Sequence, residues 1–155
     1  MSFPALTLMP RRAIETKLFG SIEIAPDQVL HTSDGVLGFP ACREWVLLDG
    51  ARPGTAWLQS AEHPALAFLL ADPFSAFEGY AVELAMPELD RIGASEASDV
   101  AVFAIVTLPG APNEPATANL AAPIVVDVTA RRAAQVIISD GRWSVKAPLA
   151  PGALS

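Results

Sequence analysis

The residues best suited to chemistry in this sequence are two histidines, His31 and His63, and a single cysteine, Cys42. A tetrahedral zinc site takes four ligands at recognisable spacings, and these three residues match no such spacing. A hydrolase needs an activated nucleophile, but no G-x-S-x-G motif occurs and nothing in the sequence marks Cys42 as activated. We therefore predict no metal site, and we keep a small hydrolase that uses His31 or His63 with Cys42 as an alternative.

Two further patterns could carry chemistry. Glu88 and Asp90 could form an acid–base pair, but on a short helix they face different sides, which is typical of solvated residues. The glycine-rich residues 33–40 match neither of the phosphate-binding glycine motifs, so we interpret them as a structural loop. The residues by themselves predict no active site and no cofactor, and they favour a protein-binding module over an enzyme.

Negative charge is concentrated in one part of the chain. The formal net charge is -7, and residues 72–99 contain one base, Arg91, against seven acids: Asp72, Glu78, Glu83, Glu88, Asp90, Glu96 and Asp99. This excess of acids disfavours direct binding of nucleic acid, whose phosphates attract basic surfaces. Two interpretations of this acidic segment stay open: a solvated surface that keeps the protein soluble, or a docking surface for a basic protein partner.

The elements that must position these residues are mostly strands. The chain has 155 residues, of which 52% are hydrophobic, and this is enough for one folded domain without disulfides. Apolar runs and alternation predict strands at 14–19 with a continuation at 21–24, and at 45–48, 56–60, 67–71, 81–84, 100–108, 124–128, 136–138 and 143–146. Turn residues recur at about ten-residue intervals, which is typical of meanders in small sandwiches and barrels.

The centre of the predicted sheet is the antiparallel pair 124–128 and 136–138, whose β-branched runs indicate burial on both faces. Residues 119–122 ahead of it form an irregular lead-in. One clear helix is predicted at 87–92, with proline at its start and glycine at its end. Phe74, Phe77 and Tyr80 form an aromatic cluster in a segment that is too broken for a helix.

The sequence indicates a cytoplasmic protein with ordered residues between two loose ends. No apolar run reaches the roughly 20 residues of a membrane helix, because Asp72, Pro73 and Asp127 interrupt the longest candidates. No secretory signal is recognisable, and a single cysteine fits a reducing compartment. We predict a flexible leader at residues 1–12, one domain at 13–149 and a tail at 150–155.

An ordered series of motifs resembles the flagellar assembly factor FliW family. The motifs are IETKLFGSIEI in the first strand pair, GVLGFP before the WVLL strand, WLQS, PALAF, the ADPF corner, FAIVTLP, and ANLAAPIVVD followed by QVII. They cover residues 14–149, and their specificity lies in the order rather than in any single motif. The resemblance implies a mainly β fold, a compact antiparallel β-barrel-like single domain with short helices.

The resemblance also implies a function without catalysis and without a cofactor. Proteins of this family bind the carbon storage regulator CsrA, a small RNA-binding dimer that represses flagellin translation, and they bind flagellin as the competing partner. While flagellin occupies the family member, CsrA stays free to repress, and once flagellin is exported the released protein sequesters CsrA and synthesis resumes. An allosteric effect on CsrA is favoured in the family over direct displacement of RNA. We expect a monomer that contacts neither nucleic acid nor membrane.

An aromatic anchor flanked by acids suits a basic protein partner, and this criterion selects the candidate contacts. They are Asp72, Pro73, Phe74, Glu78 and Glu83. Asn119 and Leu120 form a second candidate contact, to which this criterion does not apply. For each a structural role stays open: Phe74 could be ordinary core, Asp72 a turn cap, and Asn119 an amide that satisfies loop backbone groups. An alternative function is a flagellin-specific cytoplasmic chaperone that acts without CsrA.

Overall fold

The structure is a computed structural model, which describes residues 11–36, 38–93 and 100–150. The strands of these residues are β1 (Arg12–Thr16), β2 (Gly20–Ile24), β3 (Val29–His31), β4 (Glu44–Asp49), β5 (Thr55–Ser60), β6 (Ala67–Ala71), β7 (Ala101–Thr107), β8 (Thr117–Asp127), β9 (Arg132–Gln135) and β10 (Ala147–Pro148). The helices are α1 (Pro73–Ala76) and α2 (Met86–Ile92), with a 3-10 turn at Pro26–Gln28. Most of the predicted leader and tail lies outside the described residues, although β1 already includes Arg12.

Seven of these strands close into a barrel. Their order around it runs from β3 through β8 to β9, and β9 pairs in turn with β3. Neighbouring strands are antiparallel except for β3 and β9, which meet in parallel at His31 and Arg132. The short β10 pairs with the start of β8, while β1 and β2 form a separate hairpin. The predicted mainly β, barrel-like fold is confirmed, and closure removes the open edges of its sheet.

The interior of the barrel is a packed apolar core. Trp45, Leu58, Leu70 and Ile124 lie in it with at most 1% of their surface exposed. Burying one large aliphatic side chain in this way contributes about 1.5 to 3 kcal/mol relative to leaving it exposed. Trp45 also donates its indole N–H to the Cys42 carbonyl at 3.0 Å, so its polar atom is satisfied.

The strand β8 is covered on both faces. Ile124 and Val126 belong to the barrel core, whereas Val125 packs on the outside with Leu89 and Ile92 of α2. Double-sided burial explains why the sequence here is an unbroken β-branched run rather than an alternation of apolar and polar residues. The predicted burial on both faces is confirmed for residues 124–127. It is wrong for Val128, which follows the end of β8 and is 62% exposed, and for Ile137 of the predicted partner strand, which is 65% exposed.

Other predicted elements are confirmed with small shifts at their ends. The strands β4, β5, β6 and β7 each lie within one or two residues of the predicted bounds. The helix α2 begins one residue before Pro87, and Gly93 follows it with a φ of 73°. This left-handed conformation ends helices and favours glycine, so the predicted stop residue has the expected role.

The prediction of one strand at 14–19 is wrong, because β1 ends at Thr16 and the chain turns back into β2. The Thr16 hydroxyl donates to the Gly20 carbonyl at 2.8 Å and accepts from the Phe19 N–H at 2.8 Å. These two bonds close the turn of a hairpin. The alternation of the sequence continues through the turn, and it therefore gave no signal of where the strand stops.

The prediction for the partner of the central strand was also wrong in position. Residues 119–122 belong to β8 rather than to an irregular lead-in, and the antiparallel partner β9 is Arg132–Gln135 instead of 136–138. The tight turn after β8 explains this, since the Asp127 carboxylate accepts from the Ala130 N–H at 2.9 Å and Arg131 adopts a φ of 57°. Pairing therefore resumes immediately, with Asp127 opposite Arg132.

Two local predictions near the ends of the barrel fail for one reason, which is packing without strand pairing. Residues 81–84 form no strand, although Val82 and Leu84 are half-buried against the barrel. Residues 143–146 likewise form bends, and the last strand is Ala147–Pro148. Alternating burial therefore does not guarantee a hydrogen-bonded neighbour. A third prediction fails for a different reason, since the segment predicted as too broken for a helix contains the single turn α1, which Asp72 caps.

Gly35 and Gly20 give a matched test of the loop before β4. Their φ angles are 67° and 69°. A Cβ on Gly35 would overlap the backbone of Phe39 and Pro40, whereas a Cβ on Gly20 would have no atom of a non-neighbouring residue within 4 Å. We expect Gly20→Ala to lower the free energy of unfolding by about 1 to 2 kcal/mol through backbone strain alone. Gly35→Ala should lose roughly a further 1 to 3 kcal/mol through overpacking, as measured by urea denaturation. Equal losses would contradict the packing of this loop.

Candidate protein-binding surface

The corner after β6 is built around the side chain of Asp72. Its carboxylate accepts from the Phe74 N–H at 3.0 Å and from the Ser75 hydroxyl at 2.8 Å, which caps the start of α1. Pro73 occupies the first helical position, where its missing N–H costs nothing, and it is buried. The corner is therefore fixed, and it leaves the Phe74 ring 49% exposed.

Phe74 is the outer ring of an aromatic corner that also contains Tyr80 and Trp143. The Phe74 and Tyr80 ring centroids are 5.5 Å apart, and those of Tyr80 and Trp143 are 4.7 Å apart. Tyr80 is buried, and its hydroxyl donates to the Leu120 carbonyl at 2.8 Å. The exposed ring thus rests on a buried, hydrogen-bonded one, which is the rigid arrangement found in binding anchors.

Asn119 and Leu120 lie beneath this corner. The Asn119 side-chain oxygen accepts from the N–H groups of Ala121 and Ala122, both at 3.1 Å, at the point where the pairing of β7 and β8 shifts register. Leu120 is buried at 3% exposure and packs with Tyr80. Both residues have a structural role that supports the corner from inside, and their part in a partner contact stays a prediction.

Glu78 and Glu83 follow the corner in sequence, and both residues are exposed. Among the described residues, no ion pair includes either glutamate. Arg91, the single base of the acidic segment, pairs instead with Asp34 at 3.1 Å, outside that segment. The two glutamates that follow Phe74 in sequence therefore carry charge without an ion-pair partner among the described residues, while Glu96 and Asp99 lie outside those residues.

The residues that suggested hydrolase or metal chemistry are not arranged for it. Cys42 is buried, and burial together with the nearby charge of Glu62 raises the pKa of its thiol, which opposes formation of the thiolate nucleophile. His31 and His63 line different cavities. In the described ranges, no group of three or more His, Cys, Asp or Glu side chains could hold a metal ion.

Sequence reasoning missed one member of the aromatic corner. Trp143 was assigned to a strand, whereas it lies in a bend and packs edge-on against Tyr80 with the Arg142 guanidinium 5.9 Å from its ring centre. The two aromatic residues are 63 positions apart in the sequence, so no local pattern could pair them.

Of the helices that the structure describes, none is long and apolar enough to cross a membrane.

Burial of Tyr80 predicts a titration that can be read directly, because it is the only tyrosine in the chain. Burial raises its pKa from 10.0 to about 12. The folded protein favours the neutral phenol, so this contribution to stability is complete below pH 10 and is lost as the pH rises toward 12. Tyrosinate absorbance should titrate near 12 in the native protein and near 10 in urea. Equal native and unfolded pKa values would place Tyr80 in solvent.

Comparison with known proteins shows the family to which this fold belongs. The family model described as FliW protein matches residues 13–149. A flagellar assembly factor FliW of Treponema denticola is 35% identical over 133 residues, which is 86% of this chain and 90% of that protein. One of an Exiguobacterium species is 41% identical over 128 residues, with 82% and 88% of the two chains covered.

A crystal structure of a flagellar assembly factor FliW superposes with a TM-score of 0.81 at 35% identity. The match covers 88% of this chain and 96% of that one. The sequence comparisons and the structural comparison therefore identify the same family, and each covers most of the chain. The chain belongs to the FliW family of flagellar assembly factors.

Proposed function

We propose that this protein is a non-enzymatic cytoplasmic regulator of flagellar assembly that binds and antagonises CsrA, and that flagellin controls it by competing for it. The single observation that carries this proposal is the exposed Phe74 ring on a fixed corner, with the exposed Glu78 and Glu83 following it in sequence. The relatives are named as assembly factors, which points to binding rather than catalysis. The finer assignment of CsrA and flagellin as partners comes from the family resemblance.

Charge supports a basic partner at this corner. CsrA binds RNA, and a protein that binds phosphates presents basic surface. Uncompensated carboxylates around an aromatic anchor complement such a surface and accelerate encounter. The aromatic ring supplies the apolar contact that typically dominates interface energy, and the carboxylates supply orientation.

The regulatory scheme requires negative coupling between the two partners. Flagellin and CsrA must not both be held at full affinity, whether they share one surface or act on each other through the protein. A typical coupling of about 1 to 3 kcal/mol would change the affinity for either partner by roughly 5- to 150-fold. Reciprocity then demands that CsrA weakens flagellin binding by the same factor.

Charge reversal tests the carboxylates of the acidic segment. We expect Glu78→Lys with Glu83→Lys to weaken CsrA binding, and the loss should grow at low salt because the Debye length rises from about 8 Å at 0.15 M to about 30 Å at 0.01 M. The matched control is Glu15→Lys with Glu23→Lys, two exposed positions on the β1–β2 hairpin. Calorimetric titration at two salt concentrations measures both. Unchanged affinity in the first variant would remove these carboxylates from the interface.

Truncation of the aromatic anchor tests the apolar contact separately. Because the Phe74 ring is half exposed, Phe74→Ala should leave the fold intact while weakening partner binding by about 2 kcal/mol or more. Leu18→Ala is the control, since Leu18 is 57% exposed on the turn of the hairpin. Binding titrations with circular dichroism as a fold check measure the difference. Equal binding by both variants would show that Phe74 is not an anchor.

Pull-down with each purified partner separates the main proposal from its alternative. Capture of CsrA, and its release by added flagellin, is the result expected for the antagonist. Capture of flagellin alone would replace the proposal with a flagellin-specific chaperone that acts without CsrA. Capture of neither partner would overturn both functions.

A further inference from the structure

An arginine-lined cavity of about 490 Å³ lies where β3 and β9 close the barrel. Its lining includes His31, Thr32, Ser33, Arg43, Arg131 and Arg132. These residues come from the end of β3, the approach to β4 and the bend before β9. None of them takes part in the function proposed above. We propose that this arginine cavity binds a phosphate-type oxyanion.

The first argument is local charge in an acidic protein. Arg43, Arg131 and Arg132 are three of only ten basic residues in a chain of net charge -7. Within the described ranges, the ion pairs join Arg12 to Glu44, Arg91 to Asp34 and Arg142 to Asp140. The three cavity arginines are in none of these ion pairs, so three positive charges line one cavity without an ion-paired carboxylate. An external anion would supply the missing charge.

The carboxylates near this cavity are held by backbone groups. The Glu62 carboxylate accepts from the N–H groups of Arg43 and Glu44 at 2.7 and 2.8 Å. The Asp127 carboxylate accepts from the Ala130 N–H at 2.9 Å inside the bend. These bonds orient the acids toward the main chain and shape the loops that carry the arginines. The positive charge of the cavity is therefore not cancelled by direct pairing.

The second argument is that the cavity is preformed. Arg131 adopts a φ of 57°, a left-handed conformation that is uncommon for a residue with a side chain. Its carbonyl accepts from the His31 N–H at 2.9 Å, and its guanidinium donates to the Pro26 carbonyl at 3.4 Å. Bonds to both neighbouring segments fix the bend, so the backbone that carries Arg131 and Arg132 needs little reordering to receive a ligand.

The chemistry of the lining selects the ligand class. Guanidinium groups present planar pairs of N–H donors that match the oxygens of phosphate, and Ser33 adds a hydroxyl donor. The volume falls within the range of about 300 to 1,000 Å³ that is typical of small-molecule sites. It therefore admits either a free phosphate or the phosphate group of a nucleotide. Both sources share the same recognition chemistry.

Calorimetric titration of the full chain with pyrophosphate tests the proposal, with sodium chloride at equal ionic strength as the reference. We expect saturable binding by the wild type and a loss of roughly tenfold or more in Arg43→Gln with Arg132→Gln, since charged hydrogen bonds are removed. The control is Arg52→Gln, because Arg52 is exposed in the β4–β5 loop and lies outside this cavity. It should bind as the wild type does.

Amide chemical-shift mapping by NMR gives an independent readout on the unmodified protein. Shifts concentrated at residues 31–33, 43 and 130–132 on addition of pyrophosphate are the expected result. No saturable binding above the chloride reference, or an equal loss in the Arg52 control, would overturn the proposal. Tighter binding of adenosine monophosphate than of inorganic phosphate would assign the site to a nucleotide, and the reverse order to free phosphate. None of these results depends on CsrA or flagellin.

Discussion

The backbone N–H and C=O groups of β8 must all be hydrogen-bonded, and the rest of the structure depends on this constraint. One edge of this strand pairs with β7, and the other pairs first with β10 and then with β9. Both faces are covered from residue 122 to residue 127, so backbone groups there cannot turn to water. Each group that the ladder leaves unpaired must therefore find a partner inside the protein, or the strand would be destabilised by its desolvation.

The shift of register between β7 and β8 creates such unpaired groups, and the aromatic corner is built from the groups that satisfy them. Residues 120–123 have no paired residue on β7, because Ile105 pairs with Asn119 while Phe103 pairs with Ile124. The Leu120 carbonyl accepts from Tyr80, and the Leu120 N–H donates to the Ser144 carbonyl at 2.9 Å. A bulge in the barrel wall thus positions the buried ring on which Phe74 rests.

The sequence was sufficient to predict a strand or helix wherever the local pattern and the tertiary contacts favour the same element. The strands β4 to β7 and the helix α2 have apolar periodicity, turn residues and caps that all indicate the same element. The failures lie where side chains pack without pairing, as at Val82 and Leu84, or where a bulge interrupts alternation, as at residues 119–122. The FliW fold was predictable from the order of its motifs. The aromatic corner was predictable only in part, since Trp143 reaches it from a distant segment.

The arginine cavity illustrates a limit of reading one sequence in order. Arg43 and Arg132 are 89 positions apart and meet only because the barrel closes through the parallel contact of β3 with β9. That contact is a single residue pair, so the chain on either side of it diverges and leaves space that longer strands would fill. The same short pairing brings the end of α2 close, since a Cβ at Gly93 would lie 3.6 Å from the Arg132 Cδ. The end of α2 and the arginine cavity therefore adjoin at Arg132, and closure of the barrel rather than closeness in sequence sets this contact.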